Sequence, residues 1–374
     1  MKIIALKETA ANERRVSITP EVAKKLTDLG HQITIERDAG KEAGFTNEAY
    51  EQAGATLAKD INESLSQADV VTHVSPPTAE ELKSAKEGAI LISLLRPHAN
   101  VPLLKKLAKA KLTSLSLEMI PRISRAQAMD VLSSQSNLSG YKAVIDSVST
   151  FEKAIPMMMT AAGTIAPAKI LIIGAGVAGL QAIATARRMG AIVSAFDVRS
   201  ASKEQVESLG ATFVEVTSDE TGDAAGGYAK EMSEEYKQRQ SDKLADVLKS
   251  QDIVITTALI PGKPAPILIT ADMVKTMKLG SVIYDLAIEN GGNCELAESN
   301  KVVIKHGVKI LAPSNVPSLV AHDASQMFSR NIFNLLKILT DKDTCSVSLN
   351  MEDDIIKGAC LTHGGELVHP SFKE

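Results

Sequence analysis

The 374-residue chain has no tryptophan, only 3% aromatic residues and three cysteines. Cys294, Cys345 and Cys360 are odd in number and nowhere form a C-x-x-C pair, which argues against both a disulfide framework and a zinc site, so no metal site is expected. No apolar run approaches the roughly 20 residues needed to span a bilayer. The opening residues MKIIALKE read as a short strand followed by charge, not as a signal peptide. Basic residues are not in excess either: 41 Lys and Arg stand against 45 Asp and Glu, a formal net charge of −4. That balance lacks the footprint of non-specific nucleic-acid binding. The expectation is a soluble intracellular protein whose 44% hydrophobic residues and length suit two α/β domains.

What the chain does have is alternation. KIIAL (2–6) reads as a strand, and PEVAKKLTDLG as a helix with Thr19 as N-cap, Pro20 at its first position and Gly30 as its stop. Strands follow at ITIE (33–36), ADVVTHV (68–74) and AILISLL (89–95), and the helix VPLLKKLAKAK leads to the strand LTSLSLE. Such alternation implies parallel βαβ units. From about Ser124 the apolar period turns helical through Met129, Leu132, Leu138, Tyr141, Ile145, Val148 and Phe151, predicting one long helix with SSQS as its weak point. A second α/β run begins at Lys169 with KILIIG, IVSAFD, DIVITTA, SVIYDLA and VKILAP. SQMFSRNIFNLLKIL predicts another helix, and the tail after it has little pattern. The expected fold class is α/β, with two doubly wound Rossmann-like parallel-sheet domains joined by long helices. The first is discontinuous (1–138 plus 316–374), and the second spans 139–315.

The strongest motif is KILIIGAGVAGLQAIATARRMGAIVSAFD. Gly174, Gly176 and Gly179 form G-x-G-x-x-G after an apolar strand and before a helix, and the next strand ends in Asp197. Gly174 permits the tight turn, Gly176 lets backbone approach a pyrophosphate, and Gly179 lets helix and strand pack closely. The helix start, through Val177 and Ala178, offers N–H groups to the phosphates. Asp197 would accept hydrogen bonds from the adenosine ribose and repel a 2′-phosphate, favouring NAD over NADP. Arg199 works in the opposite direction, since an arginine can accept that phosphate.

Between Thr217 and Met232 lies TSDETGDAAGGYAKEM, polar and glycine-rich. It reads either as a passive surface loop or as a lid hinged at Gly226–Gly227 that carries Tyr228 and Met232 over a nucleotide. TTALIPGKPAP follows a strand end, with Leu259 as a backbone contact or with Pro261 and Pro264 simply fixing a turn. DLAIENGGN adds Glu289 and Asn293 as weaker candidates.

The segment from Pro121 to Val144 concentrates polar side chains just upstream of the glycine motif. Ser124 and Gln127 have capping-box spacing, and Arg122 with Asp130 could be a local ion pair. Alternatively Arg122, Gln127, Asp130 and Ser133 orient a nicotinamide carboxamide, which needs both donors and acceptors.

The runs PRISRAQAMDVLSSQSNLSGY, PMMMTAAGT, GAGVAGLQAIATA, DVR, GGYAKEM, TTALIPGKPAP and DLA-GGNC closely resemble the proton-translocating nicotinamide nucleotide transhydrogenases, specifically their peripheral NAD(H)-binding alpha subunit. The similarity runs over essentially the whole chain. It implies a catalytic set of Arg122, Gln127 and Asp130, and cofactor contacts at Arg122, Ile123, Ser124, Gln127, Asp130, Ser133, Gly174, Gly176, Val177, Ala178, Gly179, Asp197, Val198, Arg199, Gly227, Tyr228, Gln240 and Leu259. It further implies a homodimer on the cytoplasmic face of a bacterial inner membrane, with a transmembrane subunit and an NADP(H)-binding subunit as partners. NAD(H) would be the cofactor and NADP(H) the co-substrate on the partner. Ending near residue 374 without a membrane span resembles the bacterial form divided into separate chains.

The rival is alanine dehydrogenase, a sister family that also fits RRVSITP with Arg15. Oxidising an amino acid needs a general base and a carboxylate-binding group. The lysine expected after the Ala-Asp strand is missing from ADVVTHVSPP, where His73 reads as an ordinary strand-end histidine. LISLLRPHA supplies Arg96 and His98. Hydride transfer between two nicotinamide rings needs no side-chain proton acceptor, so an orienting cluster without an acid–base pair suits it. A catalytically silent NAD-binding regulator would carry the same glycine motif.

Overall fold

The computed structural model describes residues 1–216, 233–260, 263–341 and 343–373. The chain divides into two compact units, Met1–Gln135 with Ser318–Glu374, and Ser136–Pro317. Both are α/β and doubly wound, as the alternation of strands and helices predicts.

The sheet of the first unit has eight strands, in the order Glu366–Leu367, Cys360–His363, Thr113–Ser116, Ile90–Ser93, Val70–Thr72, Lys2–Ala5, Gln32–Ile35 and Thr56–Leu57. The six from Thr113–Ser116 to Thr56–Leu57 pair in parallel. Helices cover both faces, so the strands read as apolar runs and not as alternation: every position of Ile90–Ser93 is buried. The period of two instead sorts residues between two cores. Ile3, Ile90 and Ile92 pack with Phe328, Ile332 and Leu335, whereas Ile4 and Leu91 pack with Leu65, Leu104 and Leu107.

Segment 14–19 is fastened to the C-terminal part of the chain by serine hydroxyls. The amides of Arg14, Val16 and Thr19 donate to Oγ of Ser318 (2.7 Å), Ser325 (3.0 Å) and Ser329 (3.0 Å). All three serines are fully buried. Ser325 and Ser329 lie four residues apart on the Ala321–Ile338 helix, so they share one face and meet the amides of Val16 and Thr19. The hydroxyl of Ser325 in turn donates to Ala321 O, one turn earlier. The predicted N-cap Thr19 does precede Pro20, but its hydroxyl forms no cap bond and stays buried without a partner.

Two expectations are corrected here. The helix predicted from Ser124 to Phe151 is two elements, a 3-10 helix at Ser124–Met129 and an α-helix at Val131–Thr150, and the break falls at Asp130 instead of SSQS. The tail without pattern forms the Asp354–Ala359 helix and two antiparallel strands that extend the first sheet. Their hairpin turns on Gly364 and Gly365, both at positive φ, the backbone that a two-residue hairpin loop demands.

The second unit's sheet runs Thr212–Phe213, Ile192–Phe196, Lys169–Ile173, Ile253–Thr256, Val282–Asp285, Val308–Leu311 and Val302–Lys305. Of these, Val302–Lys305 alone is antiparallel to its neighbour. Chain order reverses between Lys169–Ile173 and Ile253–Thr256, and α/β sheets bind ligands outside the carboxyl ends of the strands at such a point. Ile170 and Ile172 pack on Ala182, Ile183 and Ala186, and Leu171 and Ile173 pack on Leu244 and Leu248. PMMMTAAGT and the following Ile165 hold a two-stranded hairpin, Met158–Thr160 with Gly163–Ile165, exposed at every strand position.

Removing the Ser325 hydroxyl would leave the buried Val16 amide without its acceptor. Ser325→Ala is expected to destabilise the first unit by about 1–3 kcal/mol, read as an earlier denaturant midpoint at unchanged slope. A change below about 0.5 kcal/mol, the size of an ordinary surface substitution, would show that the amide finds another acceptor.

Candidate functional site

Gly174 follows the central strand with φ of 100°, a left-handed backbone that glycine adopts without steric cost. Its carbonyl is crowded on two sides. Thr257 Oγ1 donates to it at 2.9 Å, and a Cβ placed on Gly179 would lie 1.8 Å from it. The third glycine is therefore required by the protein's own packing. Gly176 differs: it is the N-cap of the Val177–Arg188 helix, and a Cβ there would meet nothing within 4 Å. No contact among the described residues requires that position to be bare, as expected if it is kept clear for a ligand. Val177 is exposed, and the first-turn amides of this helix lack intrahelical acceptors, the chemistry that an anion would be held by.

Gly140, near the end of the PRISRAQAMDVLSSQSNLSGY run and without an expected role of its own, is part of this construction. A Cβ on Gly140 would sit 2.0 Å from the Ala178 carbonyl, so the Val131–Thr150 helix comes close against the glycine turn. Its one signal is a lone glycine inside a helical pattern.

Asp197 stands directly after the Ile192–Phe196 strand, 9% exposed, and both carboxylate oxygens are engaged. Oδ2 accepts from the Ala175 amide (2.7 Å) and Arg199 Nη2 (2.7 Å). Oδ1 accepts from the Arg199 amide (2.9 Å) and Arg199 Nε (2.8 Å). The acid expected to read the ribose is thus paired with the arginine expected to oppose it. Val198, between them, is half-buried.

The rim after Ile253–Thr256 is held from beneath. Asn293 is fully buried; its Oδ1 accepts from the Ala258 amide at 3.0 Å, and its Nδ2 donates to Ala258 O (2.9 Å) and Pro266 O (2.8 Å). Asn293 therefore fixes the loop instead of facing a ligand, while neighbouring Leu259 is exposed. Behind it, Asp285 is fully buried and accepts from the amides of Ala287, Asn293 and Cys294 and from the Thr256 hydroxyl. Glu289 accepts from the Asn315 amide. Gln240 is a buried side chain on the Glu234–Leu248 helix. Gly226, Gly227, Tyr228, Met232 and Pro261 lie outside the described residues.

The polar run of the first unit is arranged differently from its capping-box reading. The residue before the 3-10 helix is Ile123, no side chain caps that helix, and Gln127 is exposed. The capping group is Asp130, which serves the following α-helix. Its Oδ1 accepts from the Ser133 amide (2.9 Å), and its Oδ2 accepts from the Ser133 hydroxyl (2.6 Å). Asp and Ser satisfy helix-start amides well, which explains a break at Asp130 and an uninterrupted helix through the serines. Arg122, Ile123 and Ser124 are exposed. Arg125, within the same run but without a role in the sequence reading, makes a two-pronged pair with Asp353 at 2.7 and 2.9 Å.

At the switch point of the first sheet, between Lys2–Ala5 and Val70–Thr72, a buried polar cluster fills the corresponding place. Arg15 donates to Glu13 through Nε (2.8 Å) and Nη2 (2.7 Å) and to Gln135 through Nη1 (2.8 Å). Ser75 also donates to Glu13 (2.9 Å). His73 Nδ1 lies 2.7 Å from Ser75 O and 3.1 Å from Glu8. Burial pulls the His73 pKa down, but the charge and hydrogen bond of Glu8, joined by the Ser75 carbonyl and the charge of Glu81, outweigh it, and the net shift is upward. A histidine held towards its cationic form is a poor proton acceptor.

Residues 4–139 match the family described as the N-terminal domain of alanine dehydrogenase/PNT, and residues 143–370 match its C-terminal domain. An NAD(P) transhydrogenase alpha-subunit chain of Rhodospirillum rubrum is 54% identical over 379 residues, covering 100% of this chain and 99% of that protein. The crystal structure of transhydrogenase from Sinorhizobium meliloti superposes with a TM-score of 0.86 at 43% identity, covering 99% and 100% of the two chains. An L-alanine dehydrogenase structure follows at a TM-score of 0.80 and 25% identity, covering 100% and 98%. The chain belongs to the alanine dehydrogenase/PNT family, among the NAD(P) transhydrogenase alpha subunits.

Proposed function

We propose that this chain is the NAD(H)-binding subunit of a proton-translocating transhydrogenase. It would exchange hydride with NADP(H) held on a partner subunit, at the cytoplasmic face of a bacterial inner membrane. The observation that carries nucleotide binding is Gly176, whose missing side chain faces open space above a helix start. When bound, the nucleotide supplies the hydride, from C4 of its dihydronicotinamide ring. This chain's residues hold and orient it: Gly174, Gly176, Val177, Ala178 and Gly179 at the pyrophosphate, Asp197 and Val198 at the adenosine ribose, and Gln240, Leu259, Gly227 and Tyr228 around it, with Arg199 lining the ribose end beside Asp197. Arg122, Ile123, Ser124, Gln127, Asp130 and Ser133 are assigned to the nicotinamide end. Among the described residues no helix is long and apolar enough to cross a membrane, so proton translocation is assigned to a transmembrane partner. A homodimer is proposed as well, and the exposed Met157, Met158, Met159 and Ile165 of the hairpin are a surface suited to contact another chain.

The dehydrogenase alternative is disfavoured by the buried cluster. The Arg15 guanidinium that would hold a substrate carboxylate is already occupied by Glu13, and His73 is held towards its cation. Alanine with NAD+ is expected to yield no NADH above background, and robust alanine-dependent NADH would reverse the choice.

The glycine turn makes a paired prediction. Gly176→Ala should fold with wild-type stability yet bind NADH at least tenfold more weakly, whereas Gly179→Ala should lose both stability and binding. Tight NADH binding by Gly176→Ala would remove the pyrophosphate from this turn.

Gln127 makes no cap bond, so Gln127→Asn should melt like wild type. With Arg122→Ala, it should slow reduction of an NADP analogue by NADH, measured with a purified NADP(H)-binding partner, much more than it weakens NADH binding. An error of about 1 Å in ring placement lowers a rate by roughly a hundredfold. Turnover at the wild-type rate in both variants would remove these residues from the nicotinamide.

A further inference from the structure

An ionised carboxylate offers about four lone-pair positions. At Asp197 four donors occupy them: the Ala175 amide, the Arg199 amide, Arg199 Nε and Arg199 Nη2, all at 2.7–2.9 Å. The two amides are fixed by the backbone. Ala175 is locked in the glycine turn, and the Arg199 amide is two residues from the acid it serves. The guanidinium is the movable pair, on a side chain that is 17% exposed beside an acid side chain that is 6% exposed. A ribose diol presents two hydroxyl donors and needs two of these four positions. Only the guanidinium can yield them.

We infer that Arg199 is an internal competitor for the adenosine-ribose subsite, occupying on Asp197 the acceptor positions that the ribose hydroxyls take, and that it sets nucleotide affinity and specificity. This rests on the reading of the glycine turn as an NAD(H) site. The guanidinium mimics the diol: two N–H donors side by side on one carboxylate. Each binding event therefore exchanges one two-pronged interaction for another, which keeps NADH affinity below what Asp197 alone would give. A subunit that passes hydride onward has to release oxidised nucleotide as well as bind reduced nucleotide, and this exchange favours release. The same arrangement stores a second specificity. Asp197 opposes a 2′-phosphate and also holds the cation positioned to accept it. Without the carboxylate, Arg199 is released towards the phosphate.

The test is titration of NADH and NADPH fluorescence against the full chain, which has no tryptophan to interfere. Arg199→Ala is expected to bind NADH roughly tenfold more tightly and to keep its discrimination against NADPH. Asp197→Ser is expected to lose NADH affinity and gain NADPH affinity by roughly tenfold, and the double variant Asp197→Ser with Arg199→Ala should lose that gain. NADH binding by Arg199→Ala at wild-type strength or weaker, with unchanged melting temperature, would overturn the inference. If Arg199→Ala melts earlier, Arg199→Lys decides, because it keeps the charge without the planar fork. Tighter NADH binding by the lysine variant supports competition, and unchanged or weaker binding overturns it. Failure of the wild-type chain to bind NADH at all would instead overturn the nucleotide site itself.

Discussion

The nucleotide turn is organised around one carbonyl oxygen, that of Gly174. A positive φ turns the peptide so that this oxygen faces the Val177–Arg188 helix, and only a residue without Cβ at 179 lets the helix rest on it. The Thr257 hydroxyl donates to it from the neighbouring strand end. A single polar atom thus joins turn, helix and rim at the point where strand order reverses. Burying a carbonyl in such a place is tolerable because it receives a hydrogen bond. The same proximity repeats one layer outward, where Gly140 brings the Val131–Thr150 helix against the Ala178 carbonyl. Two bare positions on two helices set how closely both helices stand to the glycine turn.

Where local chemistry and tertiary packing agree, the fold is legible in the sequence. The central strands of both sheets, such as Ile90–Ser93, Lys169–Ile173 and Ile253–Thr256, are short, largely buried apolar runs between helices, so their existence and parallel pairing follow from alternation. The glycine turn is legible because Gly174 and Gly179 answer steric demands that leave few substitutes. The break at Asp130 departs from the expected SSQS for an instructive reason. Serines weaken a helix interior, yet Ser133 and Ser134 stand in its first turn, where Asp130 uses the Ser133 amide and hydroxyl. Propensity alone does not say which side of a boundary a residue occupies. The C-terminal strands escape a periodicity argument because four and two residues carry no period, and their sheet partner lies some 250 residues earlier in the chain. The Gly364–Gly365 turn is their one local sign.

Residues with obvious chemistry prove harder to assign than glycines. Asn293 reads as a rim contact because it is polar and near a strand end, but its amide is spent on the Ala258 peptide and Pro266 O. Asp285, behind it, opens the DLAIENGGN run without an expected role, although four donors converge on it. Both are side chains that make a loop rigid, and rigidity at the Leu259 backbone is what a ligand contact made by main chain requires. A polar residue in a motif has two readings, facing the ligand or holding what faces it. Sequence spacing does not distinguish them, whereas burial with a full set of partners does.

The two sheets solve the same electrostatic problem at their switch points with different outcomes. In each, an arginine lies side-on against a carboxylate two residues away in sequence, Arg15 with Glu13 and Arg199 with Asp197. A charge out of water is stable only when paired and fully hydrogen-bonded, so both pairs relieve a cost that either member alone would impose. The first pair is closed off: Arg15 is 4% exposed, Gln135 and Ser75 complete it, and no part of it can leave without stranding a buried charge. The second keeps its guanidinium nearer to solvent, where an arginine that lets go is rehydrated. Sequence alone would pair both alike. The difference in exposure makes one pair structural, and on the proposed reading leaves the other able to exchange its partner for a ribose.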